Sequence, residues 1–173
     1  MKRTLTICAA VLAFSVVTVY AAWMTNANHH AQVRIPDGWN TTYKVMVGPE
    51  NKQAHLVLAN NAEDEKLTMV AAIASMEVGE GLDLDTFMEF LEKKILENAT
   101  VVEKQKRGFN NLSGVYVIYD AMFGGEELRL MCFFTKKDPY FYAIFTGTEK
   151  DKFEERKPKL DEILVTFQYV EKP

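Results

Sequence analysis

The chain contains three histidines, the side chains best suited to bind a metal or transfer protons. His29 and His30 are adjacent, and they could bind Cu(II) or Ni(II) at a free amino terminus only if the chain were cut after Ala27. Two imidazoles are otherwise too few ligands for a stable metal site. His55 has no neighbouring Cys or second His, so a structural or surface position is favoured over catalysis. The sequence predicts no metal site and no cofactor.

Two pairs of acidic residues could divide the roles of general acid and general base, as paired carboxylates do in glycoside hydrolysis. They are Asp83 with Asp85 and Glu126 with Glu127. The first pair opens a predicted helix, where a carboxylate accepts hydrogen bonds from free amides. The second lies on the shoulder of a predicted hairpin, where solvation explains it. Structural roles are therefore favoured for both pairs.

Serine nucleophiles and phosphate-binding loops have no recognisable motif in the sequence. None of the serines lies in a Gly-x-Ser-x-Gly elbow; they are Ser15, Ser75 and Ser113. The glycines at 79–81 and 124–125 lack the further glycine or the Lys-Ser/Thr of a phosphate loop. We therefore predict no catalytic residues, and an envelope hydrolase with an unrecognised active site is the alternative.

Aromatic residues are concentrated in the carboxyl-terminal half, where they could line an apolar pocket or a protein-contact surface. They are Tyr116, Tyr119, Phe123, Phe133, Tyr140, Phe141, Tyr142 and Phe145. An ordinary sheet core is the favoured interpretation. The ligand-binding residues are thus unknown from sequence, and the expected partner is a protein or a small apolar ligand.

The amino terminus has the order of residues that export signals share. Lys2 and Arg3 precede an uncharged stretch at 4–23, and Val19 and Ala21 occupy positions −3 and −1 of a cleavage point. An uncleaved membrane anchor is the alternative, because about 20 apolar residues can span a bilayer. Membrane contact is expected only in that case, for which a surface-anchored structural protein is a further hypothesis.

Cleavage after Ala21 divides the chain into a signal peptide at 1–21, a flexible leader at 22–31 and a single domain at 32–173. Lipidation at Cys8 is excluded, since a bulky residue precedes it and no apolar segment of sufficient length comes before it. Periplasmic or secreted localisation follows from this interpretation.

Composition limits the class of partner and the source of stability. The chain has 20 basic and 24 acidic side chains and a net charge of −4. Loss of Lys2 and Arg3 with the signal leaves 18 basic against the same 24 acidic side chains, a net charge of −6. This acidity argues against a nucleic-acid partner. Cys132 would be the one cysteine left, so no intrachain disulfide could form and core packing must stabilise the fold.

Hydrophobic patterning predicts short strands followed by one amphipathic helix. Four apolar runs are typical of strands, and they lie at 33–35, 43–47, 55–59 and 67–76. The apolar residues of the helix recur at three- and four-residue steps and so share one face. They are Leu84, Phe87, Met88, Leu91 and Ile95. We expect Asp83 or Asp85 to cap its first turn.

The second half of the chain predicts an antiparallel meander and a second helix. Residues 101–107 form a charged strand of the type that protects a sheet edge. Three apolar strands follow, at 115–123, 127–135 and 140–146. Their apolar groups occupy both faces, so a sheet covered on both sides is expected. The second helix should begin after Gly147, with Thr148 as its cap and a kink or restart at Pro158.

Two short motifs and this order of elements resemble the PsbP-like superfamily. The motifs are Ile-Pro-Asp-Gly-Trp at 35–39 and the series Phe153, Pro158, Leu160, Ile163, Leu164 and Phe167. The superfamily includes bacterial DcrB-like exported proteins and a nuclear import factor that binds the GTPase Ran. The resemblance spans residues 32–170 and implies an α+β fold, a three-layer α/β/α sandwich with a mostly antiparallel central sheet and two main helices.

The same resemblance implies an accessory or binding role without catalysis, and it assigns no residues. Together with the export signal, it predicts an exported, non-catalytic accessory or binding protein of the bacterial periplasm or cell envelope.

Overall fold

The computed structural model describes residues 21–63, 66–94, 96, 98–109, 111–123 and 125–170. The predicted signal segment, with Cys8, lies outside the described residues except for Ala21. Ile95 of the predicted first helix and Gly124 of the predicted hairpin also lie outside them. None of the helices in this described part is long and apolar enough to cross a membrane.

Strands dominate the described part of the chain, and two α-helices accompany them, so the fold class is α+β as predicted. In chain order the elements are β1 (Ala21–Asn26), β2 (Ala31–Pro36), β3 (Asn40–Val47), β4 (Gln53–Glu63), β5 (Lys66–Glu77), α1 (Leu84–Lys94), β6 (Thr100–Phe109), β7 (Leu112–Phe123), β8 (Glu126–Lys137), β9 (Tyr140–Glu149), α2 (Phe153–Val165) and β10 (Gln168–Tyr169).

Seven strands form one sheet in the order β3-β4-β5-β9-β8-β7-β6. Every neighbouring pair is antiparallel, which confirms the predicted meander and extends it. The segment containing α1 carries the chain from β5 to the far edge, where β6 lies. The charged strand predicted at 101–107 is β6, and its edge position is confirmed. A smaller antiparallel sheet has the order β1-β2-β10.

Alternate residues of β8 lie in two different cores, as its pattern predicts. Leu130, Cys132 and Phe134 pack in the first core with α1, whereas Met131 and Phe133 pack in the second core with β2 and α2. Burial of a side chain of this size stabilises a fold by about 1.5–3 kcal/mol relative to exposure. Both faces of the large sheet are therefore covered.

The structure corrects the flexible leader expected at residues 22–31, because these residues belong to the folded domain. β1 pairs with β2 along its whole length, and a 3-10 turn at Ala27–His29 reverses the chain between them. Met24 and Asn26 of β1 are buried. The polar composition of this segment suggests a solvent-exposed leader. Its polar side chains instead find hydrogen-bond partners on distant strands.

The second helix begins later than predicted. Thr148 still belongs to β9 and pairs with both β5 and β8. Its hydroxyl donates to the Thr68 carbonyl oxygen at 2.6 Å and does not cap a helix. A 3-10 turn at Lys150–Lys152 leads into α2, which continues through Pro158 although proline lacks an amide donor. Pairing with two strands outweighs the local capping pattern.

Candidate functional site

The structure brings together two histidines and a serine that the sequence leaves apart. His29 lies in the turn after β1, His55 in β4 and Ser75 directly opposite His55 in β5. The Nδ1 atom of His29 is 2.7 Å from Ser75 Oγ, and the centroids of the two imidazole rings are 4.5 Å apart. The expectation that His29 lies in a flexible leader is therefore wrong, and His55 has a second His beside it, because the β1–β2 turn packs on the large sheet.

Asparagine and tyrosine side chains complete this histidine cluster. Asn26 Nδ2 donates to Ser75 Oγ at 2.7 Å. Asn28 Nδ2 donates to the Tyr43 hydroxyl at 2.6 Å and lies 3.2 Å from His55 Nδ1. The Tyr43 hydroxyl is itself hydrogen-bonded to His55 Nδ1. The cluster thus joins the β1–β2 turn to β3, β4 and β5.

Burial keeps His29 neutral. Ser75 Oγ accepts a hydrogen bond from Asn26 Nδ2 and is also hydrogen-bonded to His29 Nδ1. Burial, followed by the nearby charge of His55, lowers the pKa of His29 to about 4. Burial also lowers the pKa of His55. The ring of His29 stacks on Tyr140, with centroids 4.3 Å apart.

A Ser–His pair is part of the arrangement that activates a serine nucleophile, but this pair is placed for structure. Ser75 has 0% of its surface exposed, so no substrate can reach its hydroxyl. Among the described residues, no carboxylate hydrogen-bonds to His29 or His55, although a triad requires such a group to orient its histidine. The cluster therefore fixes the β1–β2 turn on the sheet.

A metal site at the histidines also lacks support in this part of the chain. No group of three or more His, Cys, Asp or Glu side chains among the described residues is arranged to hold a metal ion. A cut after Ala27 would remove β1, and with it the buried Met24 and Asn26. The amino-terminal copper or nickel site would therefore form only at the expense of the fold.

The two acidic pairs have the structural surroundings that the sequence suggests. Asp83 Oδ1 accepts hydrogen bonds from the backbone amide and the hydroxyl of Thr86, both at 2.8 Å. These bonds lower the pKa of Asp83 and cap α1 as predicted. Glu127 forms an ion pair with Lys150 at 2.6 Å, and Lys150 also contacts Asp120 at 3.1 Å.

The aromatic residues of the meander are divided between the two cores, so the sheet-core interpretation is supported. Tyr119, Phe134, Phe141 and Phe145 lie in the first core, while Tyr116, Phe133 and Tyr142 lie in the second. The side chain of Phe123 lies outside the described residues. The interior cavity beside Phe145 measures about 30 Å³, roughly one water molecule, whereas ligand pockets span about 300–1,000 Å³.

The strand β3 is an exposed apolar edge that sequence reasoning does not identify. It is the end strand of the large sheet and is paired only with β4. Tyr43, Val45 and Val47 alternate along it and so share one face. They expose 48%, 50% and 69% of their surfaces. The Tyr43 hydroxyl is held by the histidine cluster, which fixes this row of side chains at one end.

Comparison with known proteins supplies the fold but no function. No family model matches the sequence, and no curated protein matches it either. The solution structure of the cyanobacterial PsbP protein (CyanoP) of Synechocystis superposes with a TM-score of 0.63 at 12% identity, covering 90% of this chain and 95% of that chain. The fold is PsbP-like. At this identity the likeness transfers no site residues.

Two further structures show weaker likeness to the PsbP-like fold of this chain. PA94 of Pseudomonas aeruginosa, a protein of unknown function, gives a TM-score of 0.45 at 16% identity and covers 89% of this chain and 99% of that one. LpqN of Mycobacterium tuberculosis, which is involved in cell envelope biogenesis, gives 0.44 at 11% identity and covers 84% and 94%. These two carry no argument about function.

Proposed function

We propose that this protein is an exported, non-catalytic accessory protein of the bacterial periplasm or cell envelope that binds another protein through β3. The observation that carries the proposal is the exposed row Tyr43, Val45 and Val47 on an unpaired strand edge. An unpaired edge offers backbone amides and carbonyls to an incoming strand, and alternate side chains then supply specificity. The partner segment would be extended, with apolar residues at alternate positions.

The arrangement around Tyr43 favours binding at this edge. Its hydroxyl is hydrogen-bonded to both Asn28 and His55, so its ring is ordered before a partner arrives. Ordering contact residues in advance reduces the entropy lost on binding. The cavity beside Phe145 is too small for an apolar ligand, whereas the exposed row on β3 suits contact with a protein.

Export and layering belong to the same proposal. The order of Lys2, Arg3, Val19 and Ala21 supports a cleaved signal, and a cut after Ala21 would retain nearly all of β1. The PsbP-like fold supports a three-layer arrangement, in which α1 would form one outer layer and the small sheet with α2 the other. Amino-terminal sequencing of protein from the periplasmic fraction should begin at Ala22. An intact Met1 in the membrane fraction would instead establish the anchor.

The binding proposal is tested by recovering the tagged full chain from the cells that make it. Val45→Lys combined with Val47→Lys adds two charges to the edge, and Lys104→Ala combined with Lys106→Ala is the matched control on β6. We expect wild type and control to retain the same partner, and the β3 variant to lose it by about tenfold or more. All three proteins should have similar unfolding temperatures.

Two outcomes contradict the binding proposal. One is equal recovery of the partner by all three proteins. The other is the absence of any partner that depends on the full chain.

A further inference from the structure

A surface cleft opens beside the small sheet, on elements separate from β3. Its volume is about 570 Å³, within the roughly 300–1,000 Å³ typical of small-molecule sites. Trp23 of β1 and Arg34 of β2 face each other across paired strands at one wall, and Lys137 and Tyr169 form part of another. Trp23 exposes 43% of its surface, so a large part of this residue is open to solvent here.

Both cations of this cleft rest on aromatic rings. The Arg34 guanidinium lies 5.4 Å from the centroid of Trp23, and the Lys137 ammonium lies 4.1 Å from the centroid of Tyr169. The cleft lining contains no Asp or Glu among the described residues, and neither cation forms an ion pair within them. Among the described residues, an incoming anion would therefore have no ion-paired carboxylate to displace.

The position of Arg34 is fixed by the end of α2. Its backbone amide donates to the Thr166 hydroxyl oxygen at 2.8 Å, and that hydroxyl donates to the Ile163 carbonyl oxygen at 2.7 Å. These bonds join β2 to the helix end, so the strand that carries the guanidinium is held in place. A second cleft of about 290 Å³ shares Arg34 and Thr166 and adds Lys159 and Glu162, of a size near the lower limit for ligand sites.

The geometry points to a binding site for a small aromatic carboxylate. Its carboxylate would contact Arg34 and Lys137, since a guanidinium can bind a carboxylate with two parallel hydrogen bonds. Its ring would pack beside Trp23 and Tyr169, large aromatic side chains that can bury apolar surface on contact. Two cations that form no ion pair among the described residues, in one aromatic cleft, suit this class of ligand. The site goes beyond the proposed partner binding and does not depend on it.

Tryptophan fluorescence tests the site with a pair of matched probes. The chain has two tryptophans, so Trp39→Phe leaves Trp23 as the sole reporter. Phenylacetate and its neutral isostere phenylacetamide have the same shape and differ in charge. We expect saturable fluorescence change with phenylacetate at millimolar concentration or below, and binding of the amide weaker by about tenfold.

Substitutions then locate the carboxylate contact. Arg34→Gln and Lys137→Gln should each weaken phenylacetate binding by about fivefold or more. Arg107→Gln is the matched control, because Arg107 also lies over an aromatic ring, that of Tyr116 at 5.3 Å, but outside this cleft. It should leave the affinity unchanged.

Three results would overturn the site. They are no saturation with phenylacetate up to about 10 mM, an equal response to the amide, and equal loss of affinity in Arg107→Gln. The comparison of acid with amide uses only the reporter protein, so it decides the matter even if a cleft variant fails to fold.

Discussion

The two edges of the large sheet are both largely exposed but differ in chemistry. Each described side chain of β6 from Thr100 to Gly108 is exposed, and this strand carries four charged residues. β3 is exposed at nearly every position too, yet Lys44 is its sole charged residue. Charged side chains on an edge oppose pairing with another strand, because an incoming strand must desolvate or match them.

This difference in charge between β3 and β6 shows that exposure alone does not define an interaction surface. A strand approaching β6 would have to match Glu103, Lys104, Lys106 and Arg107, whereas one approaching β3 would meet mainly hydroxyl and apolar groups. The β3 edge is also tied to a buried histidine cluster, and β6 is paired within the sheet only with β7. The edges should therefore respond differently to pH and to changes in packing.

The largest expected effect is a loss of stability at the β3 side on acidification. Burial depresses the pKa of His29 from 6.5 to about 4, so between these values the unfolded chain binds a proton that the folded chain excludes. The free energy of unfolding therefore decreases by up to about 3 kcal/mol as the pH falls from 7 toward about 4. His55, whose pKa is also lowered, adds in the same direction.

Denaturant unfolding between pH 7 and pH 4 measures this effect, with His29→Gln as the comparison. Glutamine can still hydrogen-bond to Ser75 but does not titrate, so the variant should lose less stability than wild type over this range. Carboxylates such as Asp120, whose pKa is lowered mainly by its hydrogen bond to Arg129, titrate in both proteins and cancel in the comparison. Hydrogen exchange should increase more in β3 and β4 than in β6 and β7. Parallel pH profiles for the two proteins would contradict the role given to His29.

Sequence patterning recovers the elements whose signals are local. The period of α1, the Asp83 cap and the two-faced pattern of β8 all depend on neighbouring residues, and all three are present. The charged edge at β6 is recovered for the same reason, because its charges lie in the strand itself.

The histidine cluster and the apolar edge depend on contacts between distant parts of the chain. Asn26 and His29 meet Ser75 across 49 and 46 residues, and no local pattern indicates that polar residues near the amino terminus are buried. The sequence predicts β3 as a strand but not its place in the sheet, since strand order is set by long-range pairing. The start of α2 is missed because β9 is extended by its two neighbours.

A smaller effect is expected at the β6 side, where Gly114 of β7 lies between Arg107 of β6 and Thr135 of β8. A Cβ at this position would collide with the Phe134 carbonyl oxygen and would lie 2.7 Å from the Phe133 ring. The backbone oxygen can move only if β8 moves, so Gly114→Ala should destabilise the protein by about 1–3 kcal/mol.

Gly108→Ala on β6 itself is the matched control, because the nearest atom to its added Cβ is the Leu112 carbonyl oxygen at 3.7 Å. Its free energy of unfolding should change by no more than about 0.5 kcal/mol. Since β6 is paired only with β7, the Gly114 variant should raise hydrogen exchange in β6 and leave β3 unchanged, the reverse of the acid effect. The two edges would not be independently supported if the two alanine variants changed the free energy of unfolding equally. Faster hydrogen exchange in β3 of the Gly114 variant would lead to the same conclusion.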